Sequence, residues 1–268
     1  MTDAATTFRT QTSDRDRIAG VPCLRLLLRN DAGKMRLTPE LIDDLISAID
    51  RDRTSRLAIV EGTADSFCEG LDIESLGLKA ESAAPPSCSE IGLTQYEKLL
   101  TTINCTPRPV VAVVSGQALG GGVGIACAAD LVLASPQATF ALPETILGMI
   151  PAVVFPFIAS RIGVPRARLL ALGAKPLSAA TALQWGLVDE IAEDLEAAIA
   201  RHARRFARMD SRAIATVKRL AADHFAKPNG YQADASSSLL DLLASSETRS
   251  RLRRFAIGES PWSDETEI

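Results

Sequence analysis

Histidine is nearly missing from this chain of 268 residues: His202 and His224 are the only two. Neither stands at ligand spacing from a cysteine or from the other, which argues against a His/Cys metal centre. Ser115 has no evident histidine partner and G-x-S-x-G is absent, so nothing marks a serine nucleophile. Cysteine is sparse and odd in number. Cys23, Cys68, Cys88, Cys105 and Cys127 show no C-x-x-C spacing. Cys23, Cys105 and Cys127 lie in or beside apolar segments and are expected as reduced core thiols. A large excess of one charge is also missing. Lys and Arg number 29 against 33 Asp and Glu, a net charge of −4, which argues against nonspecific nucleic-acid binding. No apolar run is long enough for a bilayer, and Met1 to Gly20 is polar without the apolar core of a signal peptide. The expectation is a reduced, cytoplasmic protein without membrane association. Two nucleotide signatures are absent as well. There is no G-K-[ST], and Gly122-Val123-Gly124 runs into Ile125, Ala126 and Cys127 rather than completing G-x-G-x-x-G.

What remains has the composition of an ordinary soluble globular protein, 47% hydrophobic and 23% charged, long enough for one α/β domain with a large core. Apolar runs predict strands at Cys23–Arg29, Leu57–Val60, Pro109–Val114, Leu131–Ala134 and Ala138–Phe140. Thr38-Pro39-Glu40 opens a helix whose stripe is Leu41, Ile42, Leu45, Ile46 and Ile49. A helix follows over about 91–104, and Lys79–Ser89 reads as a loop. From Val153 nearly everything reads as helix: Phe155–Ile162, Pro165–Gly173, Ala179–Gly186, Leu195–Met209 and a segment after Ser211. Strand–helix units first and helices last predict an α/β core of repeated ββα turns, over 21–200, behind a polar leader at 1–20 and ahead of a helical region at 201–268. Arginines cluster in that last region, at Arg201, Arg204, Arg205, Arg208 and Arg212 and again at Arg249, Arg251, Arg253 and Arg254. They read as solvated helix faces, or as a handle for an anionic substrate carrier.

Three segments carry chemistry. In Ser115 to Asp130 an apolar strand leads through Gly120-Gly121-Gly122 into a helix of small residues. Close packing accounts for two of these glycines. Three at a helix start point to backbone N–H groups presented to a ligand oxygen. Ser66-Phe67-Cys68-Glu69-Gly70-Leu71-Asp72 also places glycine in a turn after a strand. Alone it is an ordinary connection; paired with the first it supplies a second N–H. Two such donors stabilise a developing thioester enolate, each by roughly 3 kcal/mol. The third segment, Phe140 to Pro151, sets one carboxylate, Glu144, among apolar residues. A desolvated glutamate moves protons near neutral pH. It is otherwise a buried glutamate paired with an arginine or capping a helix.

Together, in this order, Phe67 to Ile73, Gly116 to Gly122 and Pro143-Glu144 resemble the crotonase (enoyl-CoA hydratase/isomerase) superfamily, as does Ala179 to Asp189 with its Gly186-Leu187-Val188. The resemblance covers about 20–265. It implies a crotonase-like spiral of ββα units with a C-terminal helical trimerisation region, a homotrimer or dimer of trimers, and an acyl thioester on phosphopantetheine or CoA with no separate cofactor or metal. It implies that Leu71 and Gly121 donate the oxyanion-hole N–H groups, that Glu144 is catalytic, and that Cys68, Gly70, Gly120 and Gly124 line the substrate.

The departures narrow the reading. Fatty-acid hydratases of the family carry a second glutamate where this chain has Gly124. Pro151-Ala152-Val153-Val154-Phe155-Pro156-Phe157 also replaces their Gly-Gly stretch. That segment, with Thr139, Lys175-Pro176-Leu177-Ser178, Gln184-Trp185-Gly186-Leu187 and Gly258 to Trp262, is similar to the polyketide β-branching dehydratases that act on 3-hydroxy-3-methylglutaryl groups on an acyl carrier protein. The resemblance implies a lyase dehydrating 3-hydroxy-3-methylglutaryl-ACP to 3-methylglutaconyl-ACP, with Glu144 moving the proton in a syn elimination. Alternatives on the same fold are an enoyl isomerase, a glutaconyl decarboxylase, a generic enoyl-CoA hydratase, or a noncatalytic partner subunit. Lys218, Arg161 and the Lys79–Ser89 loop are candidates to meet a distal carboxylate.

Overall fold

The computed structural model describes residues 10–11, 17–28, 35–71, 92–224 and 230–261. The predicted Lys79–Ser89 loop, and most of the predicted leader, lie outside the described residues. Short strands β1 (Thr10–Gln11) and β2 (Arg17–Ile18) flank the longer β3 (Val21–Leu27), and α1 (Pro39–Arg51) follows. Thr38 caps α1 by accepting the Leu41 N–H at 3.3 Å, and Ile42, Leu45, Ile46 and Ile49 bury its apolar stripe.

A repeat then sets in, with two strands and a helix in each turn. β4 (Leu57–Glu61) and β5 (Ser66–Cys68) precede α2 (Leu93–Cys105); β6 (Val110–Val114) and β7 (Gln117–Leu119) precede α3 (Gly121–Ala128). β8 (Leu131–Ala134) and β9 (Thr139–Ala141) precede α4 (Phe155–Ile162). The first strand of each turn joins one sheet, in the order β3-β4-β6-β8, with parallel neighbours. The second strand joins another, where β5, β7 and β9 also lie parallel. The chain therefore winds as a spiral of ββα units.

Strands β4 and β6 are buried along their whole length, which explains why they read as unbroken apolar runs. Ala58, Val60, Val110, Ala112 and Val114 face the main core with the helices of the spiral. Leu57, Ile59, Val111, Val113 and Leu133 face a second core, closed by Ala198, Ile199 and Ala203. These three belong to α7 (Leu195–Ala207), so one continuous helix straddles residue 200 and seals the back of the sheet. Between α4 and α7 run α5 (Val164–Gly173), β10 (Leu177–Ser178), α6 (Ala179–Trp185) and β11 (Glu190–Ile191). The two strands interrupt what reads in sequence as pure helix; β10 pairs with β9, and β11 with β8. The chain continues through α8 (Ser211–His224), α9 (Tyr231–Ala244) and α10 (Ser246–Ala256). Cys23 and Cys127 are buried as expected, but Cys105 is exposed. It is the last residue of α2 and falls off the stripe Tyr96, Leu99, Leu100 and Ile103 that the helix buries.

Candidate active site

The glycine-rich segment does not pass straight from strand to helix. Strand β7 intervenes, and the turn out of it is made at Gly120, with φ 50° and ψ −112°, a region closed to other residues. The Gly120 N–H is held by the Ala141 carbonyl at 2.9 Å. The next N–H, that of Gly121, opens α3 and has no acceptor among the described residues. Gly70 comes in from β5, also with positive φ (86°), so close that a Cβ there would lie 3.4 Å from the Gly121 nitrogen. Its carbonyl receives the Leu37 N–H at 2.8 Å, and the following Leu71 N–H has no acceptor among the described residues. Two turns of the spiral thus bring two uncommitted backbone donors, Leu71 and Gly121, to one cleft.

Glu144 reaches the same cleft from the third turn. Just after β9 the chain folds into a tight loop in which the Met149 N–H donates to the Glu144 carbonyl at 2.8 Å, and the Leu147 N–H does so at 3.1 Å. Thr248 of α10 reaches this loop too, its hydroxyl donating to the Gly148 carbonyl at 3.3 Å. The carboxylate is aimed at the glycines: a Cβ at position 120 would stand 3.0 Å from its Oε1. Its Oε2 is buried with no hydrogen-bond partner among the described residues. Burial pushes the Glu144 carboxyl up to about 7, against a smaller downward pull from its own backbone N–H. An uncompensated carboxylate facing two backbone donors can take a proton from a carbon whose carbonyl those donors polarise.

The place of a second carboxylate is filled. A Cβ on Gly124 would meet the Tyr96 hydroxyl and Val154 Cγ1, each at 2.5 Å. No side chain fits at 124 without displacing them. Tyr96 stands on α2, buried, and donates its hydroxyl hydrogen to the Gly121 carbonyl. Its pKa lies well above the usual phenol range, first because it is buried and then because Cys68 and Glu144 lie near, so it stays protonated.

The cleft encloses about 70 Å³. Its remaining walls are the 149–154 segment, Leu93 of α2, and Leu239 and Leu243 of α9. Of the expected site residues, Leu71, Gly121 and Glu144 meet in it, while Gly70 and Gly120 shape its turns. Cys68 does not line it. Its side chain is packed against Gly122, where a Cβ would lie 2.7 Å from Cys68 Cβ, and burial raises the thiol to about 12. Lys218 and Arg161 point elsewhere. Lys218 is buried against Asp130 at 2.5 Å. Arg161 donates to the Leu187 and Ala129 carbonyls and pairs with Asp189. Both are structural partners rather than cleft residues. Tyr96, Leu239 and Leu243 were not legible as site residues, since each sits in an apolar helical pattern that reads as core. No group of three or more possible metal ligands occurs among the described residues.

Paired backbone donors and a buried carboxylate thus meet in one cleft of a ββα spiral. The chain belongs to the enoyl-CoA hydratase/isomerase family, whose model matches residues 27–259. It is 27% identical over 228 residues to the bacillaene synthase dehydratase PksH of Bacillus subtilis, covering 84% of this chain and 87% of that one. It is 30% identical over 168 residues to the 1,2-epoxyphenylacetyl-CoA isomerase of Escherichia coli, covering 59% and 63%. The solved structure of an enoyl-CoA hydratase from Bacillus halodurans superposes with a TM-score of 0.77 at 24% identity, over 86% of this chain and 95% of that one, and shares the fold. These relatives make the protein a lyase of the hydro-lyase kind. Among the described residues no helix is long and apolar enough to cross a membrane.

Proposed function

We propose that this protein dehydrates a 3-hydroxyacyl thioester, and that the substrate is 3-hydroxy-3-methylglutaryl on an acyl carrier protein, giving 3-methylglutaconyl-ACP. The observation that carries the reading is that Glu144 is, among the described residues, the one side-chain carboxylate lining the cleft beside the Leu71 and Gly121 N–H groups, while position 124, where the family's hydratases carry their second glutamate, is closed by Tyr96 and Val154. A second glutamate at 124, as in the family's fatty-acid hydratases, would collide with Tyr96 and Val154. Elimination needs one carboxylate. The thioester carbonyl oxygen accepts both N–H groups, and the Glu144 carboxylate removes the α-proton. The C–H electron pair becomes the enolate, then the new C=C bond as the β-carbon–oxygen bond breaks. Glu144 returns its proton to the departing oxygen, which leaves as water. A tertiary β-carbon eases that C–O cleavage. The name of the bacillaene synthase dehydratase favours a polyketide carrier. Exposed Leu169 and Leu172 on α5 and Val217 and Leu220 on α8 offer apolar surface for the homotrimer that the family resemblance implies.

Intact mass spectrometry of the loaded carrier, with and without the enzyme, tests the reading. Loss of one water is expected, abolished by Glu144→Ala, and the CoA thioester run in parallel separates the two handles. A carrier and a CoA thioester that both keep their mass would overturn it. Loss of carbon dioxide from a glutaconyl thioester, or migration of its double bond, would instead make the enzyme a decarboxylase or an isomerase.

A further inference from the structure

Two of the described side chains that line the cleft carry polar atoms, Glu144 and Tyr96. The proposed elimination, on which this inference rests, gives Glu144 the α-proton. It leaves open what meets the β-hydroxyl, a group that must leave water to enter a cleft walled by Leu93, Met149, Val154 and Leu239. A hydroxyl buried without a partner is strongly disfavoured. The Tyr96 oxygen occupies the point where a side chain at 124 would begin, 2.5 Å from a Cβ built there, and 3.2 Å from a Cβ built on Gly121. Its one hydrogen is already given to the Gly121 carbonyl. A phenol oxygen so engaged still accepts.

We infer that Tyr96 is a substrate-binding residue, whose phenol oxygen accepts a hydrogen bond from the β-hydroxyl of the 3-hydroxyacyl group and turns that hydroxyl into line for departure. Tyr96 transfers no proton in this scheme. It fixes the β-carbon–oxygen bond relative to the enolate, so that the proton held by Glu144 has a near acceptor. The same contact selects 3-hydroxyacyl over saturated acyl groups. Its two anchors explain why the phenol can serve: the stripe of α2 buries the ring, and the first turn of α3 holds the hydroxyl.

The test compares a hydroxylated thioester with its 3-deoxy counterpart on the same carrier. In a Glu144→Gln background, where substrate is bound and not converted, the hydroxylated ligand should bind about tenfold more tightly, as one hydrogen bond implies, and adding Tyr96→Phe should erase the difference. In the otherwise wild-type enzyme, Tyr96→Phe should lower the ratio of dehydration rate to deuterium uptake at the α-carbon of the deoxy thioester by about tenfold or more. A purely structural role would depress both reactions together and leave that ratio fixed. An affinity difference that survives Tyr96→Phe assigns the hydroxyl to another group and overturns the inference, as does an unchanged ratio. Should Tyr96→Phe fail to fold, the wild-type and Glu144→Gln proteins still decide it, because equal affinity for the two thioesters would refute a hydroxyl contact. An enzyme that prefers the hydroxylated ligand yet releases no water refutes the dehydration reading instead, so the two failures are distinct.

Discussion

The Glu144 carboxyl titrates near 7 because its buried position penalises the charged form. As the base in the proposed elimination it has to be ionised in the free enzyme, and its neighbour Tyr96 is neutral throughout the working range. The kcat/KM profile should therefore rise with pH, with an acid limb centred at about 7, and fall about tenfold per unit below it. A flat profile between about pH 5 and about pH 8 would separate Glu144 from the rate. Gly124 makes the complementary point through space rather than charge. Gly124→Ala puts a methyl group into the Tyr96 hydroxyl and Val154. A loss of about 1–3 kcal/mol in unfolding free energy is expected from overpacking. Restoring a family-like glutamate at 124 should cost at least as much, as denaturant unfolding would show.

Among the elements, α8 illustrates how a residue with functional promise becomes a strut. Lys218 donates to the Ile103 and Arg108 carbonyls at 3.3 and 3.0 Å as well as to Asp130. It thereby ties α8 to the end of α2 and to the approach to β8. Asp130 in turn accepts the Val110 N–H at 2.7 Å. Lys218→Met removes the buried ammonium that the half-exposed Asp130 carboxylate and two backbone carbonyls hold, and should destabilise by about 1–3 kcal/mol. Adding Asp130→Asn should recover part of that loss while turnover per folded molecule stays near wild type, which a double-mutant cycle with activity titration would test. The long elements were legible because their patterns are periodic: the α1 stripe with its Thr38 cap, and the doubly buried runs of β4 and β6. Of the second sheet, β9 was legible as the predicted strand at Ala138–Phe140, but β5 and β7 were not. Its strands β5 and β7 are three residues each, too short to show alternation, and are defined by pairing with segments fifty residues away.

Across the whole molecule the site carries an energetic cost. A carboxyl whose folded pKa exceeds its ordinary value of 4.5 binds its proton more tightly in the native state. Its contribution to stability is complete below pH 4.5 and is lost as pH rises through about 7. The cost of keeping Glu144 charged above that window is up to roughly 3 kcal/mol. Glu144→Gln should accordingly be the more stable protein at about pH 8, with the advantage shrinking towards about pH 4.5, as unfolding curves at the two extremes would reveal. The glycine turns and Glu144 could be recognised in the sequence because motif and spacing mark them. Tyr96 and the α9 leucines could not, because only the winding of the spiral sets a buried helix stripe and a C-terminal helix around one cleft.

The hydroxyl of Thr248 on the Gly148 carbonyl gives this architecture a mechanical aspect. The loop it grips is the loop whose Met149 N–H fixes the Glu144 backbone. The carboxylate is thus guyed from two sides, by the second sheet through β9 and by the last helix through Thr248. The C-terminal helices therefore do more than wall the cleft: α10 also holds the loop from which Glu144 projects. Geometry of this kind matters because a misplacement of about 1 Å can cost a hundredfold in rate. Whatever shifts α10, from a distant substitution to a docked carrier, would be felt at the reacting carbon as a change in alignment rather than as a loss of fold.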